Sequence, residues 1–114
     1  MRFMVIVNAT PESEAGVMPS AEEMEAMTVF NEGLAKDGVL LAAEGLRPTS
    51  QGARIRFGPG APTVTDGPFT ESKEIVGGYC VMNVRSKEEA VAWTKRFLDI
   101  AGPGVCEFHE VFAG

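Results

Sequence analysis

At 114 residues, with 45% apolar and 23% charged side chains, the chain suits one globular domain spanning residues 1–114 around a single core. Its net charge is −6 and its ten Lys and Arg residues are scattered rather than gathered in a stripe, which argues against direct nucleic-acid binding. The apolar runs fall far short of the ~20 residues of a membrane helix, and the apolar opening is too short for a signal peptide, so a cytoplasmic location is expected.

Residues Arg2–Asn8 read as a strand with apolar side chains on both faces, Phe3, Val5 and Val7 on one and Met4 and Ile6 on the other. Residues 9–19 read as a polar loop that ends at Ser20-Ala21-Glu22-Glu23, a capping box opening a helix. Met24, Met27, Leu34 and Ala35 share one face of that helix, with Phe30 at its edge and Gly38 as the left-handed stop. Asn31 lies on the same face, either at its edge or as a buried polar group with a partner. Residues 39–46 form a second two-sided strand interrupted by Glu44, which sits either at a strand end in water or against a cleft.

The loop 47–52 leads into a small hairpin, residues 53–57 and 62–65, around Gly58-Pro59-Gly60-Ala61. A long strand follows over residues 75–84, with Gly77-Gly78 marking a bulge or a close approach of another backbone or a ligand. Ser86-Lys87-Glu88-Glu89 is a second capping box, opening a helix with an apolar stripe of Ala90, Trp93, Phe97, Ile100 and Ala101, closed by Gly102-Pro103-Gly104. A last strand over residues 105–112 completes the chain. This order predicts an α+β, ferredoxin-like (split βαβ) domain with an antiparallel sheet and an inserted hairpin. Two helices cover one face of such a sheet, and the apolar second face calls for a further layer, so a homodimer packed sheet to sheet is expected.

The densest run of turn formers and charges is Thr65-Asp66-Gly67-Pro68-Phe69-Thr70-Glu71-Ser72-Lys73-Glu74. Asp66 can turn its carboxylate onto nearby backbone N–H groups, Gly67 can take backbone angles closed to other residues, and Pro68 fixes the next one. Phe69 is an apolar anchor, and Glu71 and Lys73 hold either the loop or a ligand. Glu44, Arg47, Tyr79, Glu107 and His109 are the candidate neighbours. Alternation in the last strand puts Glu107 and His109 on one face, with Phe108, Glu110 and Phe112 on the other. His109 is the only histidine, so a metal site built on several imidazoles is excluded by count. Cys80 and Cys106 stand in no metal-ligand spacing and no C-x-x-C pair, and read as small hydrophobes. No cofactor motif is present: Gly58-Pro59-Gly60 is not followed by a phosphate-binding helix start.

Thr65-Asp66-Gly67-Pro68-Phe69 with Glu71, Lys73 and Glu74, preceded by Glu44-Gly45-Leu46-Arg47-Pro48 and the opening Met1-Arg2-Phe3-Met4-Val5-Ile6, resembles the DGPF subgroup of the YCII-related proteins. The resemblance implies a dimeric α+β barrel. Some distant relatives are lyase-like or dehalogenating enzymes that use a His and Asp pair, while many DGPF members are encoded beside extracytoplasmic-function sigma factors. The chain has Arg47 where many of these relatives have histidine, and His109 where arginine is common. It lacks the catalytic histidine of the enzymatic relatives in the first helix.

Two functions follow as expectations. One is a small-molecule site in a cleft lined by residues 66–69, with proton transfer or elimination by Asp66 as first choice of base and His109 as second. The other is a non-enzymatic dimeric binding or regulatory accessory in which Asp66-Gly67-Pro68 is a structural turn.

Overall fold

The computed structural model describes residues 1–69 and 74–113. Two-sided apolar alternation places Arg2–Asn8 as β1 in the interior of a four-stranded sheet. It pairs antiparallel with β5 (Val76–Asn83) on one side and with β6 (Cys106–Glu110) on the other. β2 (Leu40–Gly45) pairs antiparallel with β5, giving the order β2-β5-β1-β6, which is compatible with the ferredoxin-like arrangement. β3 (Ala53–Arg56) and β4 (Thr63–Asp66) form a separate two-stranded sheet, the inserted hairpin.

The helices are α1 (Pro11–Glu14), α2 (Ala21–Lys36) and α3 (Lys87–Ala101). Helix α1 replaces part of the expected polar loop. Thr10 caps it, accepting from the Ser13 N–H at 3.1 Å while the Ser13 hydroxyl accepts from the Thr10 N–H at 2.9 Å, and Pro11 occupies a first-turn position that needs no N–H. At α2 and α3 the serine half of each expected capping box forms: Ser20 accepts from Glu23 N–H at 3.1 Å and Ser86 from Glu89 N–H at 3.2 Å. The Glu89 carboxylate reaches one residue further back, to the Arg85 N–H at 3.3 Å. No helix among the described residues is long and apolar enough to cross a membrane.

Strand register sorts the side chains into two faces. Toward α2 and α3 lie Phe3, Val5 and Met82, which with Val84 and Ala90 make the buried core, flanked by Leu40, Cys80, Trp93, Cys106 and Phe108. Thr94, outside the expected stripe, is buried because its hydroxyl donates to the Ala90 carbonyl at 2.9 Å. The opposite face carries two cross-sheet rows, Glu44-Tyr79-Ile6-Glu107 and Ala42-Val81-Met4-His109. Both long helices occupy the Val5 side, so these rows have no helix over them.

The paired glycines answer a need for space. The register slips between Val7 and Asn8, where Ala9 N–H donates to the Ile75 carbonyl at 2.6 Å. A Cβ on Gly77 would lie 2.9 Å from the Ala9 Cα, and one on Gly78 would lie 3.0 Å from the Glu44 carbonyl oxygen. Neighbouring backbone therefore occupies the position of a Cβ at both glycines, which also line the cleft between the helices and the sheet.

Candidate functional site

Two regions compete for the role of site. The first is the turn after β4. Asp66 ends that strand opposite Ala53 and is exposed, and among the described residues its side chain makes no hydrogen bond or ion pair. The expected capping of local N–H groups by its carboxylate is absent, because the backbone is committed to the hairpin: Gly67 N–H donates to the Gly52 carbonyl at 3.0 Å.

Gly67 is required for a reason other than the one expected. Its φ is not positive, but a Cβ there would lie 1.7 Å from the Thr49 carbonyl oxygen and 2.6 Å from the Thr49 carbon. The turn, with a cis peptide between Gly67 and Pro68, is pressed against the 3-10 segment Thr49–Gln51. The Phe69 N–H donates to the Thr49 hydroxyl oxygen at 3.0 Å, and the Arg54 guanidinium lies 4.3 Å from the Phe69 ring centre. Thr49 is held in turn by Glu14, whose carboxylate accepts from the Thr49 N–H at 2.7 Å and from its hydroxyl. One threonine thus joins α1, the loop after β2 and the motif. The contribution of Glu14 and Thr49 has no local sequence signal, since 35 residues separate them. Glu71 and Lys73 lie outside the described residues.

Among the described residues, Asp66 makes no hydrogen bond or ion pair with the other expected neighbours. Glu44, Tyr79, Glu107 and His109 stand on the uncovered face of the four-stranded sheet, whereas Asp66 belongs to the hairpin. His109 Nε2 lies 3.4 Å from Glu107 Oε2, with the two side chains 58% and 43% exposed, so water screens the pair. Glu44 is three strands from Glu107, roughly 14 Å at the usual interstrand spacing. Arg47 is exposed in the loop after β2.

The second region is a cleft of about 340 Å³ between α2, α3 and the sheet. Met24, Met27, Phe30 and Leu34 line it from α2, Thr94 and Phe97 from α3, and Val5, Val7, Ala43 and Cys80 from the strands. The fit of α2 to the sheet leaves this space: Leu34 is buried at its C-terminal end, while Met24, on the same face near its start, is 44% exposed at the margin of the cleft. Glu44 and Tyr79 touch the rim, their side chains belonging to the opposite sheet face.

Polar groups inside the cleft are few, and most are occupied. Thr28 donates to the Met24 carbonyl at 2.9 Å and Thr94 to that of Ala90. Asn31 is half-buried and lines the cleft, and among the described residues its side-chain amide makes no hydrogen bond. Its amide keeps access to solvent, as expected of an edge residue: the side-chain polar atom that is buried without a partner among the described residues is Trp93 Nε1. Cys80 is no nucleophile at neutral pH: burial, with Cys106 beside it adding to the effect, pushes its thiol up to about 11. Burial raises Cys106 as well.

Residues 1–112 match the YCII-related domain. The chain belongs to the YCII-related family. No curated protein sequence matches it closely enough to count as a relative. Among solved structures, this YCII-related chain is similar to 5-chloro-2-hydroxyhydroquinone dehydrochlorinase (TftG) from Burkholderia phenoliruptrix AC1100, in complex with 2,5-dihydroxybenzoquinone. The TM-score is 0.58 at 15% identity, over 100% of this chain and 96% of that one. At that identity the likeness is one of fold.

Proposed function

We propose that this YCII-related protein binds a small, mainly apolar ring compound in the cleft beneath α2, with the Asn31 amide as its polar anchor, and that the Asp66-Gly67-Pro68-Phe69 motif of a DGPF-type chain is the turn that fastens the hairpin. The observation carrying this reading is an unpartnered amide in an apolar cleft of about 340 Å³, within the ~300–1,000 Å³ typical of small-molecule sites. An amide can donate to and accept from a hydroxyl or a carbonyl, and the Asn31 amide, at the solvent-accessible side of the cleft, has both functions open. A ring bearing one such group satisfies it. The dehydrochlorinase of similar fold holds a hydroxylated benzoquinone, which supports a ligand of this class by analogy.

The cleft favours binding over proton transfer. No carboxylate side chain or imidazole projects into it from the described strands, and its thiol is protonated at neutral pH. A second reading, a lyase- or isomerase-like reaction, is favoured by a different observation, the Glu107–His109 pair on the uncovered sheet face. In that reading His109 moves the proton and Asp66 takes no part. The quaternary structure proposed for both readings is a homodimer in which the uncovered faces of two sheets meet as an α+β barrel. It is supported by Met4, Ile6, Tyr79 and Val81, half-buried side chains on a face without a helix.

2-Naphthol and naphthalene test the binding reading, because they share an apolar body and differ by one hydroxyl. Naphthol is expected to bind the wild type more tightly, to perturb the amide resonances of α2, and to lose its advantage in Asn31→Leu. Met27→Trp, which fills the cleft, is expected to block both. Equal binding of both probes by wild type and Asn31→Leu would remove the anchor role, and binding undisturbed by Met27→Trp would remove the cleft.

A further inference from the structure

Three glycines, Gly45, Gly77 and Gly78, line the cleft, and the packing of the chain explains two of them. A Cβ on Gly77 would meet the Ala9 backbone and one on Gly78 the Glu44 carbonyl oxygen, so neighbouring backbone keeps both positions bare. Gly45 is different. Its φ is not positive, and a Cβ built there meets no atom within 4 Å among the described residues. A glycine at a strand position costs stability relative to alanine, because it gives up more backbone freedom on folding and brings no side chain to pack. Neither a turn nor a close approach offsets that cost at Gly45. What lies beside it is the open cleft.

Strand register shows which face is left bare. Gly45 ends β2 directly opposite Gly78, and Gly78 is opposite Val7, two residues on from the core residue Val5. The three form one cross-sheet row on the face toward α2 and α3, next to the row Ala43-Cys80-Val5. Ala43, Cys80 and Val5 bring side chains to the cleft, whereas Gly45 and Gly78 bring only main chain, on strands about 4.8 Å apart. Met24 and Met27 line the same cleft from α2. We infer that a planar ring lies face-down on this bare backbone, and that Gly45 is the residue that selects for planarity. This rests on the binding site proposed above and adds the class of ligand: a conjugated ring bearing a hydroxyl or carbonyl, in preference to a saturated one. A flat ring brings all its atoms to the ~3.5–4.0 Å at which dispersion attraction is greatest, while a puckered ring touches with only some of them. A side chain at position 45 would lift the ring from that surface. Because β2 is an edge strand, the Gly45 end of the row is also the side from which a ligand enters.

Titration of wild type, Gly45→Ala and Gly45→Val with 2-naphthol and with decahydro-2-naphthol is the test, because the two probes share a carbon skeleton and a hydroxyl and differ in flatness. With open space at Gly45, both variants are expected to keep the far-UV circular dichroism of wild type and to melt at the same temperature or higher. Wild type is expected to bind 2-naphthol at least tenfold more tightly than the saturated probe. Gly45→Ala should narrow that preference and Gly45→Val remove it, in each case by weakening 2-naphthol. Equal binding of the two probes by wild type, or an unchanged 2-naphthol affinity in the folded variants, would overturn the role of Gly45; if Met27→Trp still blocks 2-naphthol, the cleft itself stands. Unfolding of Gly45→Ala would show the position to be packed and would overturn it as well. A wild type that binds neither probe would overturn both the glycine floor and the cleft.

Discussion

The motif turn and the cleft under α2 treat their polar groups in opposite ways. Around the turn nearly every group is engaged: Gly67 N–H with Gly52, the space at Gly67 Cα with the Thr49 carbonyl, Phe69 N–H with the Thr49 hydroxyl, and Thr49 with Glu14. In the cleft the threonines are engaged internally and Asn31 is left with its amide open. A conspicuous sequence signature can therefore record the demands of packing, while a plain asparagine on a helix keeps its amide open toward a cleft. Asp66 is exposed, and among the described residues its side chain makes no hydrogen bond or ion pair.

The strongest way to break this contrast is Gly67→Ala. A Cβ 1.7 Å from a carbonyl oxygen forces the loop at Thr49 to move, and a loss on the order of 1–3 kcal/mol is expected in urea unfolding. An unchanged midpoint would mean that the turn does not press on Thr49. Thr49→Val keeps the shape but removes the hydroxyl shared by Glu14 and Phe69, and should cost about 1–2 kcal/mol by the same measurement. Asp66→Asn, at an exposed and unpartnered position, should stay within about 0.5 kcal/mol of wild type.

The subtlest effect is one of pH. The Cys80 thiol ionises near its ordinary value in the unfolded chain but only at about 11 when folded. Between pH 9 and 11 the unfolded state has thus lost a proton that the folded state keeps. This contribution is intact below pH 9 and falls as pH rises through that window, and Cys80→Ala should flatten the decline in melting temperature. A decline as steep in Cys80→Ala as in wild type would assign the loss to other groups.

Much of the framework was legible because it rests on local rules. The two-sided alternation of Arg2–Asn8, the serine caps at Ser20 and Ser86, and Gly38 at φ 75° all stand as their patterns imply. Alternation also placed Glu107 and His109 on one face correctly. Helix α1 was legible in principle, from Thr10 before Pro11 with Ser13 three residues on, but four residues leave no room for an apolar period. What could not be read locally were the agreements between distant segments. Gly67 looked like a residue chosen for its backbone angles, and only the position of Thr49 reveals that the constraint is space. Asn31 shares a helical face with Met27 and Leu34, and periodicity cannot tell that the sheet leaves a gap opposite it. Phe112, expected beside Phe108, is 96% exposed because β6 ends at Glu110.

Binding of 2-naphthol to Asp66→Asn and Asn31→Leu side by side, read as a dissociation constant from titration, tests the division of labour between turn and cleft most directly. Asp66→Asn is expected to bind as wild type does, and Asn31→Leu to bind roughly tenfold more weakly, about the worth of one hydrogen bond. Loss of binding in Asp66→Asn with Asn31→Leu unaffected would return the chemistry to the motif and contradict the account.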